Sequence, residues 1–318
     1  MTGLPIELSS AIERELAPIP LRQLKQACAE LTEHYAQGQG IETALHRLAY
    51  IAARLPATYS VASQVLQYLP SEAMTSLLDI GAGVGSLAWA ASAALPQLQR
   101  ITFMERDADL IRLGQRLSHS QFPSLDLSWE HVGITPETAF PDHDIVVVSY
   151  MLNELPSSTQ MNVVERAYRA AKKFLLLIEP GTPQGFELIL RARERLLARG
   201  AYLIAPCPHQ ASCPLLPAFK EGKDWCHFSV RLPRGKVHKR AKKAELAYED
   251  EKYTYLIVSP QASPPVGNRI IRPPLHRSGH VVLDLCTQEG VLKREVVSKK
   301  DKPLYTRARQ AVWGEKWL

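Results

Sequence analysis

Three of the five cysteines of this 318-residue chain fall in CPHQASCPLLPAFKEGKDWC, as Cys207, Cys213 and Cys226, and a fourth, Cys286, lies 60 positions further on in HVVLDLCT. Five and then twelve residues separate the first three, which matches neither a zinc-finger spacing nor the compact ferredoxin run. Pro206, Pro208 and Pro214 restrict the backbone beside two of them and favour an irregular loop that turns thiolates inward. In a reducing compartment, cysteines at short spacing serve more often as metal or redox groups than as disulfides. Cys286 completes a set of four if its hairpin folds back onto the loop. Zinc is the alternative for the same atoms, with three cysteines and either His209 or His227. Cys28 stands apart and reads as a small buried side chain.

A second group with chemical potential lies in LLDIGAGVGSLAWAASAAL, where Gly81, Gly83 and Gly85 follow a strand and open a helix. Glycines there let the backbone turn sharply, so that the helix-terminal N–H groups can meet a ligand. Asp79 puts a carboxylate near the strand's end, suited to a cationic amino group. The dinucleotide fingerprint is broken at its sixth position by Ser86. Glu105 closes the next strand, 24 residues after Gly81, where an acid can bind both hydroxyls of a ribose. That position suits S-adenosylmethionine and NAD equally. After the third strand, EHVGITPE offers only Gly133, Ile134 and Thr135, with no acid for an adenine amino group. After the fourth strand comes Met151-Leu152-Asn153-Glu154, with no Asn-Pro-Pro-Tyr or Asp-Pro-Pro-Tyr tetrapeptide to position an exocyclic amine. Cys207 lies too far beyond the fifth strand to read as a nucleophile, and no catalytic residue is assigned.

Charge is unevenly divided. Residues 1 to 200 carry 17 Lys and Arg against 21 Asp and Glu, net −4, whereas 201 to 318 carry 21 against 11, net +10. Such a basic third predicts attraction to polyanions, nucleic acid first. Arg234, Lys236, Lys239, Arg240, Lys242 and Lys243, with His238 among them, are the candidate RNA contacts, and Lys299, Lys300, Lys302, Arg307 and Arg309 form a second group. Contacts of this kind release counterions and read little sequence. Trp313 and Trp317 read as anchors of the C-terminal end in preference to stacking platforms for bases. Glu249, Asp250 and Glu251 offer the basic segment an opposite charge. No basic start leads into an apolar stretch, and no run nears the ~18 apolar residues of a membrane span. The expectation is a soluble, cytoplasmic monomer with no membrane partner.

These groups need elements to position them. Apolar residues recurring at three and four in LRQLKQACAELTEHY and IETALHRLAYIAARL predict helices across residues 9 to 69. From 76 onward, SLLDI, RITFME, LDLSWEHV, DIVVVSY and KFLLLIEP read as strands with helices at 85–95, 107–119, 157–172 and 183–199, which implies a mostly parallel sheet. HFSVRL and YTYLIVS are further strands, and HVVLDLCT and VLKREVVS flank a Gly290-containing turn as a β-hairpin. The expected fold class is α/β: a Rossmann-like sheet with an N-terminal helical segment (1–70), a cofactor-binding core (71–205), and a C-terminal region (206–318) of cysteine-rich loop, basic segment, last core strands and β-hairpin.

LLDIGAGVG, MERD and VVVSYMLNELP together resemble the first, second and fourth motifs of class I S-adenosylmethionine-dependent methyltransferases. RLPATYS at 54–60, APCPHQASCPL, DWCHFSVRLPRGKVHKRAKKAELAYEDEKYTYLIVS and the late Leu-Cys of VVLDLCTQEG resemble more narrowly the methyltransferase-like small-ribosomal-subunit assembly family, known from mitochondria and with bacterial members. The resemblance implies S-adenosylmethionine held by Asp79, Gly81, Gly83, Gly85, Glu105 and Asn153. It also implies a [4Fe-4S] cluster on Cys207, Cys213, Cys226 and Cys286, bracing the arm that presents the basic segment. The implied partners are the small ribosomal subunit and its rRNA. Both a methyltransferase, the favoured reading, and an inactive RNA-binding assembly factor fit that family.

Overall fold

The computed structural model describes residues 3–37, 39–70, 73–242, 245–262 and 267–317. Two compact units divide the chain, Met1–Ala170 with Val230–Glu251, and Ala171–Ser229 with Lys252–Leu318.

The first unit begins with four helices, α1 (Ile6–Leu16), α2 (Leu21–Ala36), α3 (Ala44–Ala53) and α4 (Leu55–Leu66). Pro56 lies in the first turn of α4, where a missing N–H costs nothing, and the Thr43 side chain accepts the His46 N–H to cap α3. Cys28, on α2, is buried as expected, and burial raises its thiol to about 11. Then strand and helix alternate: β1 (Ser76–Ile80), α5 (Ser86–Ala94), β2 (Arg100–Glu105), α6 (Ala108–Ser118), β3 (Asp126–His131), β4 (His143–Ser149) and α7 (Ser157–Ala170). The strands run parallel in the order β3-β2-β1-β4. Every residue of SLLDI is buried, as a parallel strand covered on both faces requires. Asp107 caps α6 by accepting the N–H groups of Asp109 and Leu110, and the same carboxylate takes Arg47 of α3 at 2.7 Å. One acid thus sets the start of α6 and ties the helical preface to it.

The second unit contains β5 (Ala171–Pro180), α8 (Pro183–Leu197), β6 (Tyr202–Ala205) and α9 (Leu216–Lys220). β7 (Phe228–Pro233) and β8 (Tyr248–Ser259) pass along the chain from one unit to the other, with α10 (Lys236–Ala241) between them in the first. β5 and β6 both pair antiparallel with β8. A second sheet follows, with β9 (Asn268–Ile270), β10 (Leu275–Arg277), β11 (His280–Cys286), β12 (Leu292–Ser298), α11 (Lys302–Gln310) and β13 (Lys316–Trp317). β11 and β12 form the expected hairpin, and Gly290 in its turn has φ +79°. Ile270, Leu283, Leu285, Val297 and Trp317 make the core of this sheet. The Trp317 indole donates to Glu295 at 3.0 Å while Arg307 lies over its ring, so this tryptophan is an anchor.

The α/β class and all five of the first strands stand where the sequence puts them. α10 and α11 were not anticipated: their lysines and arginines read as charge, although such residues are good helix formers. Among the described residues no helix is long and apolar enough to cross a membrane.

Gly114 lets α6 press against the loop after β1. A Cβ there would stand 2.6 Å from the Trp129 ring and 2.8 Å from the Val84 carbonyl oxygen. Alanine gains at most about 1 kcal/mol of helix propensity, whereas overpacking costs typically ~1–3 kcal/mol. Gly114→Ala should therefore lower the urea midpoint at an unchanged slope; an unchanged or higher midpoint would show that α6 can move away freely.

Candidate functional site

β1 ends with Asp79 and Ile80, and the chain then turns through Gly81, Gly83 and Gly85 at φ +75°, +57° and +71°. A Cβ on Gly81 would stand 2.6 Å from the Met151 side chain, and one on Gly85 2.9 Å from Trp129. The turn is closed from both sides, so only glycine can follow it. Glu105, at the end of β2, fixes the turn's shape. One of its oxygens accepts the Gly83 N–H at 2.8 Å, and the other accepts those of Arg106 and Asp107 at 2.8 and 2.9 Å. A carboxylate offers about four lone-pair sites, so acceptor capacity is left over.

Asp79 is 2% exposed, and its Oδ1 has no hydrogen-bond partner. Burial first, and the Glu105 charge second, push this carboxyl up to about 8. Asn153 sits on a single 3-10 turn, Leu152–Glu154, with its side chain exposed. Four groups that sequence reasoning left out also face this place. The Tyr50 hydroxyl lies 3.6 Å from where a Gly83 Cβ would be, and Arg54 is in electrostatic contact with Tyr35, Tyr50 and Tyr150. Tyr150 adopts φ +56°, a strained conformation for an aromatic residue. The signals were present, since Arg54 opens RLPATYS and Tyr150 stands in SYMLNELP, but nothing in spacing says that the helical preface reaches the turn.

The four cysteines line one pocket in the second unit, together with His209, Arg193 and Arg269. Cys213 and Cys226 pack on Cys286, Leu215 and Ile271, and all four are free thiols. Burial, then the neighbouring Cys207, raises Cys213 to about 11; burial and the other thiols also raise Cys226 and Cys286. Their loop is held by guanidiniums that no spacing rule would have found. Arg269, 3% exposed, donates to the Pro206 carbonyl at 2.9 Å; Arg193, equally buried, donates to the Ala211 carbonyl, and Arg272 pairs with Asp224. His209 Nε2 lies 3.4 Å from Cys286 Sγ, while His227 is turned to the Trp225 carbonyl at 3.1 Å. Among the described residues no three His, Cys, Asp or Glu come close enough to hold a single metal ion.

The basic segment forms α10, which packs on α2 and α3. Glu249 draws three of its side chains together: Lys242 at 2.6 Å, the His238 ring at 3.2 Å and Arg234 at 3.3 Å. Although burial opposes it, contacts with His238 and Lys242 hold the Glu249 carboxyl well below the usual range. Lys236 and Arg240 are exposed, Lys239 is half-buried, and Lys243 lies outside the described residues. What holds the arm within its unit is therefore a carboxylate.

Among known proteins, a profile of the family described as "Mitochondrial small ribosomal subunit Rsm22" matches residues 44–318. The chain belongs to the Rsm22 family. The human "Ribosome assembly protein METTL17, mitochondrial" is 29% identical over 294 residues, 84% of this chain and 61% of that protein. The "Ribosome assembly protein RSM22, mitochondrial" of Saccharomyces cerevisiae is 26% identical over 281 residues, 56% of this chain and 45% of that protein. This Rsm22-family chain thus spans about half the length of those curated relatives. Among solved structures, a putative RNA methyltransferase from Pyrococcus horikoshii superposes with a TM-score of 0.43 at 13% identity, over 73% of this chain and 95% of that one. The expectation of a cytoplasmic protein is overturned, because the family description and both of these relatives are mitochondrial by name.

The unpartnered Asp79 predicts a pH effect. An unfolded aspartate ionises near 3.8, whereas this one keeps its proton up to about 8 when folded. Between those values the unfolded chain binds fewer protons, so stability falls as pH rises, on the order of 1.4 kcal/mol per unit. Asp79→Asn should raise the melting temperature of the ligand-free chain at pH 8 by several degrees more than at pH 5. An equal shift at both would mean that Asp79 is already ionised in the folded state.

Proposed function

We propose that the chain binds S-adenosylmethionine at the glycine turn and acts on the small ribosomal subunit during assembly, methylating its RNA, with a [4Fe-4S] cluster on Cys207, Cys213, Cys226 and Cys286. The observation that carries the cofactor reading is the buried, unpartnered Asp79 carboxyl beside a turn only glycine can make. A cationic amino group supplies the missing partner and draws the carboxyl into its ionised form. The remaining acceptor capacity of Glu105 suits ribose hydroxyls, and the N-terminus of α5 suits a polar ligand. S-adenosylmethionine contributes an electrophilic methyl group, and the open rim at Asn153 is where an acceptor would approach it.

The subunit as partner is taken over from the relatives' names. Lys236, Lys239 and Arg240 are the cations of α10 with no ion pair among the described residues, and so the ones best placed for phosphate. Arg234 and Lys242, both engaged by Glu249, contribute less.

The donor set in the second unit fits a thiolate-bound metal: four sulfurs in one pocket, with guanidiniums lowering the cost of ionising Cys286. A thiolate-bound metal held by Cys207, Cys213, Cys226 and Cys286 would take the place of their protons and tie the loop to β11. A second reading, cofactor and subunit binding without turnover, is favoured by the residues after β4, where Met151–Glu154 replaces an amine-positioning tetrapeptide.

Methyl label from S-adenosylmethionine should enter immature small subunits with the wild-type chain and not with Gly83→Asp, whose side chain would sit at φ +57° and point toward the Tyr50 hydroxyl, 3.6 Å from its Cβ. No incorporation by a chain that demonstrably binds the cofactor would leave the second reading standing. Purified without oxygen, the protein should be brown with iron and sulfide in cluster proportion, and Cys213→Ser should bleach it. Colourless protein with one zinc would defeat the cluster.

A further inference from the structure

Arg54 takes no part in the roles above, yet it caps the end of α3 one helical turn after Tyr50, whose hydroxyl reaches the glycine turn. Three phenols surround it electrostatically: Tyr35 from α2, Tyr50 from α3, and Tyr150 after β4. Tyr50 links Arg54 to the glycine turn: its carbonyl accepts the Arg54 N–H at 2.8 Å, its hydroxyl lies 3.6 Å from where a Gly83 Cβ would stand, and that hydroxyl is in electrostatic contact with both Arg54 and Asp79. The carboxylates here are Asp79, Glu105 and Glu154, together with Glu251, which holds Arg54 through a single contact at 3.4 Å. A guanidinium has five donors in a planar fork, and a carboxylate can accept two of them side by side. One long contact leaves most of that capacity unused. The Arg54 side chain is 32% exposed, so a ligand can reach it.

A ligand that carries an ammonium and, two bonds away, a carboxylate would answer both the unmatched oxygen of Asp79 and the unused donors of Arg54. We infer that Arg54 is the receptor for the α-carboxylate of the cofactor's amino-acid end, and that Glu251 occupies it as an internal competitor when the cofactor is absent. The inference rests on the proposed S-adenosylmethionine site. It adds that the helical preface, and RLPATYS in particular, selects a nucleoside carrying an amino acid over one without. No covalent step is involved; an intramolecular ion pair is exchanged for an intermolecular one.

The two nucleosides that separate these claims are S-adenosylhomocysteine, which carries the amino acid, and 5′-methylthioadenosine, which does not. Calorimetry on the full chain should show that Arg54→Leu weakens S-adenosylhomocysteine by roughly ten- to a hundredfold, the range of a charged hydrogen-bonding partner, while leaving methylthioadenosine within a factor of about two. Retained methylthioadenosine binding also shows that the variant is folded. Glu251→Gln should act in the opposite direction, tightening S-adenosylhomocysteine several-fold and methylthioadenosine not at all. Equal losses for both ligands in Arg54→Leu, or none for either, would overturn the carboxylate role. Weaker S-adenosylhomocysteine binding in Glu251→Gln would overturn the competition. A wild-type chain that binds neither nucleoside would remove the cofactor site itself, and this inference with it.

Discussion

A guanidinium that is buried must find carbonyl oxygens, and in the second unit that requirement shapes the cysteine loop. Arg193 and Arg269 are each 3% exposed. Arg269 donates to the backbone carbonyls of Pro206 and Gly314, at 2.9 and 2.7 Å, and Arg193 to that of Ala211, while the Arg193 Nε is left without an acceptor. The loop has little apolar surface with which to fold by burial, so charged hydrogen bonds in a low dielectric take over that task. The same two cations stand near Cys286 and favour its thiolate, against a burial term that is larger. With thiols alone the balance is unfavourable to ionisation. With iron or another thiolate-seeking metal it reverses, which is why the loop's construction and its proposed ligand belong to one argument.

The first unit shows a different economy. Glu105 accepts three backbone N–H groups and gives the glycine turn its shape, whereas Asp79 is left with an unmatched oxygen. Burial first, and the neighbouring Glu105 second, raise the Asp79 carboxyl. A stable fold would place an amide at 79. An acid retained at that cost is the mark of a site that waits for a cation, and strain at Tyr150 on the opposite rim points to the same place.

Most of the α/β frame could be read from SLLDI, RITFME and DIVVVSY because parallel strands covered on both faces are continuous apolar runs, and the helices between them have a clear period. The turn's glycines were legible for a related reason: positive φ and close approach restrict the residue type. Convergence of Cys286 on a loop 60 positions earlier came only from a family resemblance, since no local rule encodes it. Arg193 and Arg269 were invisible, because a buried arginine in sequence looks like a solvated one. Tyr50 and Arg54 were missed for a topological reason, the helical preface being read as a separate segment when α3 in fact packs within reach of the turn.

The acidic run Glu249-Asp250-Glu251 shows how far charge counting can mislead. Read as a block, it is a local counterweight to RGKVHKRAKK, but β8 gives its three carboxylates separate destinations. Glu249 gathers Arg234, His238 and Lys242; Asp250 takes Arg231 in a two-bond pair at 2.7 Å; Glu251 reaches Arg54. Only the first neutralises the basic helix. Because residues 249 and 251 share one face of a strand, the acid that fixes the basic helix and the acid that occupies Arg54 sit on one short rigid piece of backbone. If a ligand carboxylate displaces Glu251, the strand that must accommodate its release is the one that holds α10. Cofactor occupancy and the presentation of Lys236, Lys239 and Arg240 then depend on the same few residues, a coupling that ion pairs of this length can relax without unfolding anything.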